Sequence, residues 1–83
     1  MHRINRVEAL PGARIRLEYA TGEAMDVDIT PMVQRGGVFA QLADPAVFAQ
    51  VRLGEGGRYI EWPGEIDLCA DALFLEGSRL SHT

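Results

Sequence analysis

The sequence predicts one α+β domain: a small antiparallel β-sheet of about five or six strands in hairpin units, with two or three short helices. Three observations support this prediction. The chain has 83 residues, the length of a single domain. Segments of alternating apolar and polar residues are separated by Pro-Gly and Gly-rich turns. Threonine or aspartate precedes proline at two places, as is typical of helix starts. We assign residues 1–76 to the domain and residues 77–83 to a frayed polar tail.

The first 29 residues predict an antiparallel meander of three strands. Residues 4–10 lean apolar without a strict period of two, which indicates a bulged strand. The dipeptide Pro11-Gly12 then turns the chain. Two alternating strands follow, and their apolar positions are Ile15, Leu17, Tyr19, Met25, Val27 and Ile29.

Two registers of this second hairpin bring its apolar positions onto one face. The first has a three-residue loop that ends at Gly22, where a residue of positive φ is favoured. It sets Arg16 opposite Asp26 and Arg14 opposite Asp28. The alternative register sets two carboxylates against each other, which is unfavourable. We therefore predict the first register, with both aspartates beside arginines on a solvated face.

Residues 30–53 predict two short helices and a return to strand. Thr30 and Asp44 are the expected N-caps, and each is followed by a proline at the first helical position. The second helix points Phe48 into the core. Because so short a helix is stable only when it packs against other residues, Phe48 is expected to be buried.

The segment around the chain's only tryptophan predicts a second hairpin. Trp62 ends a strand and shares its buried face with Ile60, and residues 66–68 form the return strand after a Pro-Gly turn. Leu73 and Phe74 are expected to close the core. Both hairpins lead into a helical segment, which suggests that the hairpin units share one sheet.

The charge of the chain limits its partners. The net charge is −4 and every basic residue is arginine, a balance that argues against a general nucleic-acid-binding protein. Residues 1–16 hold four arginines against Glu8, a local charge of +3. Such a split can orient a domain on an oppositely charged partner, although solvated strands also carry uneven charge by chance.

The expected compartment follows from three features that the sequence does not have: a membrane span, a secretory signal and a pair of cysteines. No apolar run approaches the ~18 residues of a membrane span, and no apolar segment follows the first arginines as it would in a secretory signal. A single cysteine forms no internal disulfide and is too few for a zinc site. We expect a cytoplasmic protein that does not contact membranes.

Cys69 is a candidate nucleophile. A catalytic thiol needs a base and an orienting group, and the two histidines, His2 and His82, lie at the termini, where chains are usually loose. Free cysteine is common in cores, so Cys69 is expected in or near the core. We predict no catalytic residue and no cofactor-binding residue.

Asp26, Asp28 and Asp67 are the candidate ligands for a hard cation. Such sites usually gather several oxygens in a loop, whereas Asp26 and Asp28 lie in an alternating strand. We therefore predict solvated strand acids and no metal site. Tyr59 falls on the face opposite Ile60, where it either anchors a partner or packs its ring on that face; we favour packing.

Three segments, GEAMDVDITPMV, GVFAQLADPAVFAQV and GGRYIEWPGEIDLCADALF, occur in this order along the chain. They resemble the signature blocks of domain-of-unknown-function family 2442, and Phe74 stands where that family often has tyrosine. The resemblance implies a small α+β fold with no established activity, cofactor or catalytic residue. It also implies kinship with short members that look like halves of toxin–antitoxin-type pairs.

We interpret the chain as a non-catalytic protein-binding or regulatory module, the antitoxin-like half of a two-protein pair, with a small protein as partner. The alternative is a ligand-sensing domain that works with a separate DNA-binding partner, and an enzyme ranks last. Direct nucleic-acid binding is not expected. An exposed edge strand in so small a sheet also permits a homodimer.

Overall fold

Within residues 2–81 the fold consists of six strands, three α-helices and two 3₁₀ segments, and the predicted α+β class is confirmed. The computed structural model describes the backbone of residues 2–81 and the side chains of residues 2–75. A 3₁₀ helix at Gly37–Ala43 and a 3₁₀ turn at Glu55–Gly57 complete the chain. The strands and α-helices, in chain order, are β1 Ile4–Leu10, β2 Arg14–Tyr19, β3 Ala24–Asp28, α1 Thr30–Arg35, α2 Pro45–Phe48, β4 Arg52–Leu53, β5 Tyr59–Trp62, β6 Ile66–Cys69 and α3 Ala70–Ser81.

The strands form two antiparallel three-stranded sheets, with orders β1-β2-β3 and β4-β5-β6. We had expected the hairpin units to share one sheet, and this detail was wrong. The helical residues 30–48 separate the two meanders along the chain, and β4 has only two residues with which to pair. Strand β1 carries the expected bulge near its start, where the register with β2 shifts between Ile4 and Arg6.

The predicted register of the β2–β3 hairpin is confirmed. Arg16 lies opposite Asp26 and Arg14 lies opposite Asp28. The loop closes with the Tyr19 N–H donating to the Glu23 carbonyl at 2.8 Å. Gly22 ends the loop at a φ of 95°, a conformation that favours glycine.

One of the two predicted helix caps is present. The Asp44 side chain accepts a hydrogen bond from the Ala46 N–H at 2.9 Å at the start of α2. The predicted cap at Thr30 was wrong, because α1 begins at Thr30 itself and has no side-chain cap. The Asp28 carboxylate instead accepts from the Thr30 N–H at 2.8 Å, which turns the chain into the helix one residue earlier.

The core lies between the inner faces of the two sheets and is closed by α2 and α3. Phe48 and Trp62 are both buried, as predicted. Their rings stack with centroids 5.9 Å apart, and the indole N–H of Trp62 donates to the Phe48 carbonyl at 3.0 Å. This bond ties α2 to β5. The buried apolar residues are Ile4, Ile15, Leu17, Tyr19, Val27, Ile29, Leu42, Phe48, Ile60, Trp62, Ile66, Ala70 and Leu73.

Strand β1 meets the turn that precedes β5 at a place with no room for a side chain. Gly57 is buried at a φ of 70°, and a Cβ there would overlap the backbone carbonyl of Ile4. Glycine alone permits this approach, because it has no Cβ and readily adopts positive φ. The contact joins the first sheet to the second.

Helix α3 runs from Ala70 to Ser81. The frayed tail that we predicted for residues 77–83 stays a prediction, and residues 82 and 83, His82 among them, lie outside the described range. Gly77 weakens a helix without ending it, because the apolar first turns are fixed by packing of Leu73. Within residues 2–81, none of the helices has the length and apolar character to cross a bilayer.

Candidate functional site

An open groove lies between the β1–β2 turn and helix α2. Its volume is about 610 Å³, within the ~300–1,000 Å³ typical of ligand pockets. Two buried side chains, Leu42 and Phe48, lie at its base. The lining residues are Ala9, Leu10, Pro11, Gly12, Ala13, Thr30, Leu42, Ala43, Pro45, Phe48 and Ala49.

One wall of the groove is the turn that follows β1. Gly12 and Ala13 both adopt positive φ, at 80° and 57°, so that the chain reverses within a few residues. The Ile29 N–H donates to the Ala13 carbonyl at 2.8 Å and fixes this turn to the end of β3. The wall therefore has a defined position relative to the core.

The other wall is helix α2 with the end of the 3₁₀ helix before it. Its start is fixed by the Asp44 cap and its end by the bond from Trp62 to the Phe48 carbonyl. Ala43 and Ala49 face the groove with small, exposed side chains, which leave the space above Phe48 open.

The groove is apolar. Among its lining residues only Thr30 has a polar side chain, and none is ionisable. A pocket for a polar metabolite usually presents several convergent polar side chains, and this one does not. Its chemistry suits an apolar side chain or a small apolar group. This groove was not predicted from the sequence, because its walls come from segments far apart along the chain.

A second cluster joins the N-terminus to the start of α3. The His2 ring stacks on Phe74 with centroids 3.8 Å apart, and the His2 N–H donates to Asp71 at 2.7 Å. The Tyr19 hydroxyl donates to the Ala70 carbonyl at 2.9 Å. We had expected His2 to lie in a loose terminus, and that expectation was wrong, because Phe74 and Asp71 hold it. A cavity of about 320 Å³ opens beside His2 and Tyr19.

Tyr19 makes stability sensitive to alkaline pH. Burial of the phenol, and then the nearby Asp71 carboxylate, raise its pKa above the ordinary value. The unfolded chain releases this proton near pH 10 and the folded chain does so only at higher pH. The stabilisation is therefore complete below about pH 10 and is lost as the pH rises above it.

We expect urea unfolding between pH 8 and 11.5 to show this loss in the wild type and a flatter dependence in Tyr19→Phe. At pH 7 the same substitution should cost about 1–3 kcal/mol, because the buried Ala70 carbonyl loses its donor. Tyr59→Phe, at the chain's other tyrosine, is the matched control and should keep the wild-type slope. A wild-type slope in Tyr19→Phe would assign the alkaline loss to another group.

Cys69 is exposed at the end of β6, so the prediction of a core or near-core cysteine was wrong. It lies on the outer face of its sheet, opposite Tyr59. Cys69→Ser should change the free energy of unfolding by less than about 0.5 kcal/mol. The thiol of the folded wild type should react with a thiol reagent at once. Reaction only after addition of denaturant would contradict this placement.

Two of the three acids proposed as cation ligands, Asp26 and Asp28, have partners within the protein. The Arg16 guanidinium binds Asp26 through two bonds of 2.8 and 3.1 Å, and this bonding lowers the pKa of that carboxyl. Asp28 accepts from the Thr30 backbone, and Asp67 lies on the other sheet. Among the residues described here, no three His, Cys, Asp or Glu side chains come together as metal ligands.

Carboxylates also lie opposite the three strand arginines among the first sixteen residues. On the exposed face of the first sheet, Arg6 lies opposite Glu18, and Arg16 lies between Glu8 and Asp26. Arg14 lies opposite Asp28. The local charge of +3 counted along the sequence is therefore balanced in space, because each of these strand arginines has an acid opposite it.

Tyr59 packs on its own sheet. It is half-buried, and a side chain at Gly54 would overlap its ring, so the ring covers that glycine. The ring of Tyr59 therefore packs on its own face of the sheet, which is the interpretation that we favoured from the sequence. The same outer face carries Arg52, Glu61, Asp67 and Cys69.

Comparison with known proteins identifies the family. The model of the family described as Protein of unknown function (DUF2442) matches residues 4–78. The chain belongs to the DUF2442 family. A solved structure of a putative DNA-binding protein from Nitrosomonas europaea is similar to this DUF2442 domain, with a TM-score of 0.86 and 26% identity. The alignment covers 99% of this chain and 52% of the other, so the chain spans about half the length of that protein. The search of curated proteins finds no match.

Proposed function

We propose that this DUF2442 domain is a non-catalytic protein-binding module, the regulatory half of a two-protein pair of the toxin–antitoxin type. The observation that carries the proposal is the apolar groove, which offers a buried base and small-residue walls to an apolar side chain of a partner. Anchor residues of this kind in a desolvated pocket dominate the free energy of many protein interfaces. The proposed compartment is the cytoplasm, where an exposed cysteine stays reduced.

The test is binding of the native partner to variants at two alanines, one within helix α2 and one directly after it. Ala49→Arg places a long cation over the groove, and Ala46→Arg adds the same side chain to an exposed position outside it. The tagged domain is first used to isolate a stoichiometric partner from its host. That partner should then bind Ala49→Arg at least tenfold more weakly than Ala46→Arg in titration calorimetry. Equal affinities would remove the groove as the binding site.

The alternative function is a ligand-sensing domain that acts with a DNA-binding partner. Two observations favour it as second candidate: the groove volume suits a small molecule, and the similar Nitrosomonas europaea protein is about twice as long as this chain. A small apolar molecule that co-purifies with the domain and is displaced in Ala49→Arg would support the sensor and contradict the protein-binding module.

We also propose that the domain does not itself bind DNA. Its strand arginines lie opposite carboxylates and its net charge is −4, whereas nucleic-acid-binding surfaces release counterions with unpaired cations. Fluorescence anisotropy with labelled duplex DNA at 20 mM salt should show no binding at micromolar protein, a condition that favours any electrostatic contact. Salt-sensitive binding there would contradict this part of the proposal.

A further inference from the structure

Strand β6 forms an open edge of the second sheet. Within residues 2–81, β5 is its only strand partner. The Ala70 N–H donates to the Arg58 carbonyl at 2.8 Å, in the same register as the β5–β6 pairs. Because hydrogen-bonded and non-bonded pairs alternate in an antiparallel ladder, Leu68 bonds to β5 whereas the backbone groups of Asp67 and Cys69 point away from it. Both of these residues are exposed.

The side chains beside this edge leave one charge unbalanced. On the outer face, Arg52 lies opposite Glu61, with their Nε and Oε2 atoms 3.6 Å apart. Glu61 in turn lies opposite Asp67, so two carboxylates are neighbours across the strands. Like charges in this position are unfavourable, and a cation on the far side of Asp67 would offset them. On the inner face Leu68 is only half-buried.

We propose that the outer edge of β6 receives an extended segment of the partner protein as an added strand, with a basic side chain opposite Asp67 and an apolar side chain beside Leu68. The inference rests on the proposed function and specifies the partner: a segment in which basic and apolar residues alternate. Main-chain hydrogen bonds supply affinity in this mode of recognition, and the alternating side chains supply specificity.

A second copy of the chain does not fit this edge. If two β6 strands paired about a two-fold axis with their inner faces on one side, Asp67 would face Asp67 or Cys69 of the other copy. Neither register places a cation opposite Asp67, and the first brings four carboxylates, two from each copy, into one row. Charged residues on an edge strand normally prevent such self-pairing.

The test uses the ¹⁵N-labelled full chain and two capped peptides of equal length, one alternating arginine with valine and one alternating glutamate with valine. The arginine peptide should slow hydrogen exchange of the Asp67 and Cys69 amides, and the glutamate peptide should not. Asp67→Lys should weaken binding of the arginine peptide at least tenfold. Glu55→Lys, the same charge reversal on an exposed turn, should change its affinity less than threefold.

Two further peptides separate strand pairing from simple charge attraction. N-methylation of every arginine removes the amide donors on one side of the peptide strand, and N-methylation of every valine removes those on the other side. One of the two should lose binding at least tenfold, because only one side pairs with β6. Equal binding of both, or binding without protection of Asp67 and Cys69, would overturn the proposal.

The same titration identifies other outcomes. Protection of the β6 amides that rises with protein concentration in the absence of peptide would assign the edge to a second copy and overturn the proposal. Ala49→Arg should leave peptide binding unchanged. The peptides could fail to bind β6 while the native partner still binds Ala49→Arg more weakly than Ala46→Arg. That result would refute strand addition at β6 and would leave the proposed binding site in the groove supported.

Discussion

Phe48→Ala is expected to lower the free energy of unfolding by about 3–5 kcal/mol, most of the stability of a domain of this size. Phe48 is 5% exposed, and its ring stacks on that of Trp62. Its removal leaves a cavity beneath the groove, and α2 is too short to persist without this contact. The backbone carbonyl that accepts from Trp62 then loses its fixed position.

Urea unfolding monitored by the fluorescence of the single tryptophan measures this cost directly. Val38→Ala is the control, because Val38 is also apolar but half of its surface is exposed; it should cost less than about 0.5 kcal/mol. A Phe48→Ala variant that melts at the wild-type temperature would show that Phe48 does not hold the core together.

Gly57→Ala is the second large effect, with an expected cost of about 2–5 kcal/mol. About 1–2 kcal/mol comes from holding alanine at positive φ, and about 1–3 kcal/mol comes from displacing backbone that is already in contact. The displaced backbone is that of Ile4, which is itself buried in the core. The substitution therefore separates β1 from the second sheet.

Gly56→Ala isolates the steric part of this cost. Gly56 has nearly the same φ as Gly57, 67° against 70°, but a Cβ there meets only the Arg58 side chain at 3.9 Å. Gly56→Ala should lower the free energy of unfolding by only about 1–2 kcal/mol, which is the cost of the left-handed conformation. Equal losses in the two variants, measured by chemical denaturation, would show that the contact with Ile4 does not determine stability.

Local features of the fold followed from the sequence. Alternation set the strand faces, Gly22 and the opposite charges fixed the β2–β3 register, and Asp44 with Pro45 marked the start of α2. Each of these depends on residues within about ten positions of one another, where propensity, turn geometry and cross-strand charge act directly.

Features that depend on distant segments did not follow. The sequence marks Gly57 only as one residue of a Gly-rich turn, because nothing near it in the sequence indicates that β1 passes against it. The groove could not be predicted for the same reason, since its two walls are separated along the chain by the whole of β2 and β3. The strands predicted from the sequence therefore did not determine how the two sheets are placed relative to each other.

Cys69 is a different case, because the sequence did contain the correct signal. Alternation places Cys69 on the face of Asp67 and away from Ile66, and the structure has it there. The general preference of cysteine for cores predicts the opposite placement. In this four-residue strand at the edge of a sheet, the alternation of side chains predicts the exposure of Cys69 correctly.

The bond between Tyr19 and Ala70 has a consequence for how the protein is made. It joins residues 51 positions apart, and synthesis at about 5–20 residues per second leaves roughly 3–10 s between them. The β2–β3 hairpin forms in microseconds. Its apolar face, with Ile15 and Leu17, therefore stays exposed to solvent on the ribosome for seconds. We expect a nascent-chain chaperone to bind that face until the second sheet and α3 emerge and complete the core around it.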